Sequence, residues 1–204
     1  MIERIAAVSG IDVSRETFAK LEQFAELLID ESGRQNFVSA ASLGDVWERH
    51  FVDAAQLLSL AGGPGRWCDI GSGAGLPGMV VAILSGQPMM LVEPRRLRCE
   101  FLRHSVETLG LTNVEIVVAK AQRATGHFDY ITARAVAHLG PLFAMTSHLA
   151  HAGTRFILPK GQSAKSELAE ARRSWQGDFR LVTSQTHPDA AIVVADRVRP
   201  RMKQ

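Results

Sequence analysis

Trp67-Cys68-Asp69-Ile70-Gly71-Ser72-Gly73-Ala74-Gly75-Leu76-Pro77-Gly78 is the stretch whose reading decides the fold. A strand ends at Asp69 and Ile70, glycines turn the chain, and a helix starts near Pro77. Glycine permits the sharp turn and lets backbone approach a ligand with no Cβ in the way. Proline is tolerated in the first turn of a helix, where its missing N–H costs nothing. Twenty-two positions after Gly71 stands Glu93, at the end of the next hydrophobic run. A carboxylate at that strand end can accept both hydroxyls of a ribose.

Two nucleoside cofactors suit such a loop. Gly73-Ala74-Gly75-Leu76-Pro77-Gly78 matches the dinucleotide pattern G-x-G-x-x-G. The overlapping Asp69-x-Gly71-x-Gly73-x-Gly75 instead sets an acid before three alternating glycines. An acid there suits the ammonium of a methionine moiety and would repel a pyrophosphate, so S-adenosylmethionine is the expected cofactor.

Outward from the loop, strand and helix signals alternate. Strands are expected at 66–70, 89–93, 114–119, 128–133, 154–158, 179–183 and 191–195. Helix-length segments separate the first five, apart from the shorter 120–127, as in βαβ units with a mostly parallel sheet. The last two are joined only by 185–189, a hairpin length, and should run antiparallel. The expected fold class is therefore α/β: a Rossmann-like class I methyltransferase sheet with a C-terminal antiparallel hairpin and an N-terminal helical cap. In the cap, Phe18, Leu21, Ala25 and Leu28 mark an amphipathic helix over about 14–31. Trp47, Phe51, Ala54 and Leu58 repeat the spacing in a second helix, with Ser42 and Asp45 at a capped start. Gly62-Gly63-Pro64-Gly65 ends the helices. The expected organisation is a helical extension, 1–62, packed on a methyltransferase core, 63–204.

Composition bounds the partners. The 204 residues are 46% apolar and 22% charged, the balance of a globular domain. The longest apolar run, 79–84, is too short to span a bilayer, and the first residues carry Glu3 and Arg4 rather than a signal peptide. Cys68 and Cys99 form no metal or redox spacing, so no metal and a cytoplasmic location are expected. A net charge of +2 excludes gripping nucleic acid by bulk charge; an RNA partner needs clustered cations. Arg95, Arg96, Arg98 and Arg103 on the helix after Glu93 supply one cluster, and Arg197, Arg199, Arg201 and Lys203 a basic C-terminal tail.

The glycine loop with its Leu-Pro-Gly tail, Ala133-Arg134-Ala135 and Leu158-Pro159-Lys160-Gly161, in that order, resembles the 16S ribosomal RNA guanine-N7 methyltransferase G family, also called glucose-inhibited division protein B. Asn36-Phe37-Val38, Trp47 and His50-x-x-Asp53 extend the likeness over most of the chain. The resemblance implies S-adenosylmethionine bound through Gly71, Gly73, Leu76, Glu93, the pair Ala121-Gln122, and Arg134. It implies methyl transfer to N7 of one guanine in small-subunit ribosomal RNA, free or in the ribosomal subunit. The chain departs from the family's usual residues at Gln122 (an acid), Ala133 (a serine) and Ala54 (a serine).

The residues read alone agree. Ligands of open α/β sheets sit beyond the carboxyl ends of the strands, and Asp69, Glu93, Ala119, Arg134 and Lys160 all fall there, aimed at one crevice. Guanine N7 has a free lone pair, so no general base is required and the chemistry is positioning. The product base is cationic, so Arg134 and Lys160 are assigned to guanine O6 or flanking phosphates. Position and the resemblance together put cofactor contacts at Asp69, Gly71, Gly73, Gly75, Leu76, Glu93, Ala121, Gln122 and Arg134, of which Leu76, Ala121 and Gln122 rest on what the resemblance implies. RNA contacts are expected from Arg34, Asn36, His50, Arg95, Arg96 and Lys160, with a base stacked on Phe37 or Phe143 unless these are core. His50 and Asp53, three apart, are expected to pair. A monomer is expected. The other readings are a methyltransferase acting on a small molecule or protein, and a dinucleotide-binding redox module.

Overall fold

The computed structural model describes residues 1–35, 37 and 44–201. Asn36, Val38, Ser42 and Lys203 lie outside them. All seven expected strands are present: β1 (Trp67–Ile70), β2 (Met89–Val92), β3 (Val114–Val117), β4 (Phe128–Ala133), β5 (Ala150–Lys160), β6 (Trp175–Thr183) and β7 (Ala191–Pro200). They form one sheet in the order β3-β2-β1-β4-β5-β7-β6. The first five pair in parallel, and β7 runs antiparallel between β5 and β6. β1 and β2 are buried along their whole length, as central parallel strands covered on both faces are.

The helices are α1 (Ile2–Ser9), α2 (Arg15–Gln35), α3 (Gly78–Ser85), α4 (Arg96–Thr108), α5 (Leu139–Thr146) and α6 (Ala164–Ser174), with short turns between. Ser14 starts α2 by accepting the Thr17 N–H at 3.0 Å. α3 is apolar on every side because the sheet covers one flank and the N-terminal helices the other. Ile5, Leu21, Phe24, Leu28 and Phe51 share one apolar core with Met79, Val81 and Leu91. The opposite sheet face packs Cys68, Ile70, Val92 and Ile131 against Leu142, Phe143, Leu168 and Trp175.

The structure differs from the expectations in three places. α1 was not anticipated, because an eight-residue helix shows barely two turns of periodicity. The second cap helix is not a continuous α-helix: Trp47–Val52 is a π-helix running into the short α-helix Asp53–Ala55. Trp47 still packs on Phe51, with ring centroids 4.7 Å apart. Arg197 and Arg199 of the expected tail belong to β7, which continues to Pro200, and Arg201 follows directly after it. Arg197 takes φ +54° at a bulge where two β7 residues oppose Gly177, and it pairs with Asp178.

Candidate functional site

The site is built around the carboxyl ends of β1 to β5, with the N-terminal cap, α6 and the β6–β7 connection closing over it. Between β1 and α3 the chain turns at Gly71 (φ +67°). A Cβ on Gly71 would lie 2.6 Å from Val136 Cγ2, so the loop after β4 rests directly on this glycine. At the start of α3, a Cβ on Gly78 would strike Leu91 Cδ2 at 2.4 Å.

Glu93 is buried at the end of β2. Its Oε2 accepts the Gly73 N–H at 3.0 Å and its Oε1 the Arg95 N–H at 2.9 Å. A carboxylate offers about four lone-pair sites, so roughly one per oxygen stays open. Glu93 lines a cavity of about 280 Å³ together with Gly71, Arg95, Arg98, Ala121, Gln122 and Val136. Of the expected cofactor residues, Gly71, Glu93, Ala121 and Gln122 therefore share one wall.

Asp69, Gly73, Gly75 and Leu76 do not line that cavity. Asp69 is fully buried beneath the loop, where its Oδ2 accepts the Gly78 N–H at 3.1 Å. Its Oδ1 is buried with no partner. Burial pushes its carboxyl up to about 7; the Gly78 N–H and the Arg134 guanidinium oppose that rise. Leu76 packs in the core.

A second cavity, of about 560 Å³, adjoins the first, and Val136 lines both. Arg134 and Lys160 stand on its wall with Asp53, Glu167, Thr186 and Ile192. The expected single crevice is thus two cavities divided at Val136. Ala119 lines neither; its neighbour Lys120 lines the smaller.

His50 and Asp53 do not pair with each other. Arg134 lies between them, with Nη1 3.3 Å from His50 Nδ1 and 3.6 Å from Asp53 Oδ2. Guanidinium only donates, so His50 Nδ1 accepts and the ring proton sits on Nε2, which is buried without a partner. Burial, then the Arg134 and Arg49 charges, push the His50 imidazole down to about 4, so it is neutral at physiological pH. Burial also lowers Arg134, against the opposing pull of Asp53 and Asp69.

Lys160 is enclosed rather than solvated: its side chain is 9% exposed. Nζ donates to Ala137 O at 2.7 Å and lies 2.9 Å from Glu167 Oε2. The cavity is roofed by the β6–β7 connection. Thr186 Oγ1 donates to Asp53 Oδ1 at 2.8 Å, the Gln185 N–H donates to Gln56 Oε1 at 2.9 Å, and Arg4 donates to Gln185 O at 2.8 Å. Sequence reading missed Gln56, Thr186, Val136 and Glu167. No spacing signal joins them: Gln56 meets the β6–β7 connection across 129 positions, and Thr186 meets Asp53 across 133.

Arg95 and Arg96 are exposed at the start of α4. Arg34 is exposed but paired with Glu31 of its own helix at 3.3 Å. Arg98 lies over the Phe37 ring, 5.7 Å from its centroid, and Phe37 packs on Phe101 at 4.8 Å. Phe143 is fully buried in the core, so it offers no face to a base. Among the described residues no three His, Cys, Asp or Glu side chains gather into a metal site. No helix among them is long and apolar enough to cross a membrane.

A family profile described as rRNA small subunit methyltransferase G matches residues 17–190. The chain is 46% identical over 196 residues to the ribosomal RNA small subunit methyltransferase G of Rhizorhabdus wittichii, covering 94% of this chain and 90% of that one. It is 42% identical over 204 residues to the protein of that name from Zymomonas mobilis, covering 95% and 92%. Among solved structures, ribosomal protein L11 methylase from Lactobacillus delbrueckii subsp. bulgaricus superposes with a TM-score of 0.57 at 18% identity, over 76% of this chain and 79% of that one. A mutant of MtNAS in complex with S-adenosylmethionine gives 0.59 at 16% identity, over 87% and 74%. These two likenesses bear on the fold.

Proposed function

The chain belongs to the rRNA small subunit methyltransferase G family, and from that premise we propose that it moves a methyl group from S-adenosylmethionine to N7 of a guanine in small-subunit ribosomal RNA. It is an S-adenosylmethionine-dependent rRNA methyltransferase; the choice of guanine N7 and the residue roles are our reading. The observation that carries this reading is the pair of adjoining cavities at the strand ends, one holding a carboxylate fit for a ribose and the other two enclosed cations.

The residues fit the cofactor. Glu93 keeps one open lone-pair site per oxygen, the number two vicinal hydroxyls need. Ala121 and Gln122 flank it for the adenine edge. The smaller cavity falls just under the usual range of roughly 300–1,000 Å³ for ligand sites, so it takes the nucleoside half. Asp69 lines neither cavity; it braces the glycine turn from beneath, accepting the Gly78 N–H, so its part in cofactor binding is to hold the loop that carries Gly71 and Gly73. When bound, the cofactor supplies an electrophilic methyl group on a sulfonium.

The target base belongs in the larger cavity, where Arg134 and Lys160 meet O6 or a flanking phosphate. N7 needs no deprotonation, and the one histidine beside Arg134 is neutral with its proton on Nε2. Catalysis then rests on holding donor and acceptor in line across Val136, an effect worth up to roughly 7–11 kcal/mol. Arg96 and Arg34 outside the cavities, and Arg95 on the wall of the smaller one, contact phosphates, fixing the position of the RNA without reading its sequence. The helices before residue 62 form the cap that brings His50 and Asp53 to Arg134. On this reading the chain works in the cytoplasm, as a single copy, on small-subunit RNA or the subunit.

Arg134→Ala and Lys160→Ala test the assignment. Each should slow methylation of small subunits at least tenfold while S-adenosylhomocysteine still binds the Lys160 variant normally. Parental rates in both would refute it.

A further inference from the structure

Glu167 has no part in the chemistry derived so far, yet it is 8% exposed at the wall of the larger cavity. Its Oε1 accepts the Ser163 hydroxyl at 2.6 Å, and its Oε2 faces the Lys160 ammonium at 2.9 Å. Burial would raise its carboxyl, but the Ser163 hydroxyl and the Lys160 charge outweigh that and hold it below the ordinary glutamate value. A buried ion pair is weak evidence for stability, because apolar residues of the same volume usually serve as well. Such a pair on a cavity wall points instead to what the pair holds in place.

What it holds is one ammonium between two elements. Lys160 ends β5 and donates to Ala137 O, in the loop after β4 that carries Arg134 and Val136. Glu167 sits in the first turn of α6, where its own N–H bonds to Ser163 O at 2.9 Å and the Ser163 hydroxyl holds its carboxylate. An ammonium has three N–H groups. Ala137 O takes one. The Glu167 carboxylate, 2.9 Å away, engages at most one more. At least one N–H is therefore left for a ligand in the cavity.

We propose that Glu167, braced by Ser163, is a positioning residue that aims the Lys160 ammonium at O6 of the target guanine and so selects guanine over adenine. The proposal rests on the reading that the target base occupies the larger cavity. Guanine presents an acceptor at O6 where adenine presents an amino donor. A fixed ammonium can only donate, so adenine would meet it donor to donor.

The test uses the full chain and small subunits assembled with either guanine or 2-aminopurine, which lacks O6, at the target position. The parental enzyme should methylate the guanine substrate at least tenfold faster in kcat. Glu167→Gln should slow the guanine reaction by a similar factor, leave the 2-aminopurine reaction unchanged, and leave the KM for S-adenosylmethionine unchanged. If Glu167→Gln slows both substrates equally, Glu167 is merely structural and the proposal is overturned. If the parental enzyme does not distinguish the two bases, Lys160 does not read O6 and the underlying base assignment fails with it. Should Glu167→Gln fold poorly in a thermal scan, Lys160→Met combined with Glu167→Gln removes both charges and supplies the comparison. That double variant should lose the base preference entirely, and a preserved preference would overturn the proposal.

Discussion

Replacing Glu93 is the perturbation whose outcome the structure fixes most tightly. Both of its oxygens already accept a backbone N–H, from Gly73 and Arg95, and each keeps a free lone-pair site. Two ribose hydroxyls would add two bonds to a charged acceptor, each worth roughly 1.5–3 kcal/mol. Glu93→Gln removes the charge and turns one acceptor into a donor facing a backbone N–H. Taking the lower end for each bond gives about 3 kcal/mol, or close to a hundredfold in affinity at about 1.4 kcal/mol per tenfold. Calorimetric titration with S-adenosylhomocysteine should show this loss. Titration with methylthioadenosine, which keeps the ribose but lacks the amino-acid end, should show the same factor. One backbone N–H also loses its partner, so the melting temperature should fall, and binding is read well below it. Affinities within threefold of the parent for both ligands would refute the reasoning; so would loss for one ligand only.

Other outcomes follow from the same geometry. Asp69 has a folded pKa near 7, above its unfolded value near 3.8, so its contribution is fully present below about pH 4 and lost as pH rises through 7. Urea titrations should therefore show stability falling by a few kcal/mol between pH 5 and pH 8 relative to Asp69→Asn, and parallel pH profiles would contradict it. Glu167 is shifted the other way; its contribution is present above about pH 4.5 and lost on acidification, so it leaves that window untouched. Gly71→Ala adds a Cβ in left-handed backbone, about 1–2 kcal/mol of strain, and pushes on Val136. Its melting temperature should drop by several degrees, and Val136→Ala in the same chain should recover part of the drop; no recovery would mean the contact is not the cause. Nitrogen NMR of His50 should report a neutral ring protonated at Nε2 from pH 5.5 to 8, and an imidazolium at pH 6 would contradict the Arg134 geometry.

Burial explains what could be read from the chain and what could not. β1 and β2 were legible because central strands covered on both faces must be apolar throughout. β5 and β6 begin four residues before their expected starts, at Ala150 and Trp175, where exposed positions carry no alternation. The periodicity of Trp47, Phe51, Ala54 and Leu58 marks an apolar face but does not separate an α-turn from the wider π-turn found there. At the site, Glu93, Arg134 and Lys160 are legible from position, since strand ends face the ligand crevice in such sheets, whereas position pointed to Ala119, which lines neither cavity, and Ala121 and Gln122 came only from the family resemblance. Asp69 stands in the same kind of position but is sealed under the loop, and linear order carries no depth. Glu167 lies only seven positions beyond Lys160, yet nothing in that spacing says that a turn folds the carboxylate back onto the ammonium. Arg134 reaches His50 and Asp53 across more than eighty positions, a contact set by how the cap seats on the sheet.

The most direct measurement is the chemical position of the transferred methyl group. Small subunits incubated with the enzyme and S-adenosylmethionine carrying a labelled methyl should gain label at one guanine. Digestion to nucleosides should release that label as 7-methylguanosine, and mild reduction followed by aniline should cut the RNA at that site. Label recovered on a ribose, on an exocyclic amine or on a ribosomal protein would contradict the account.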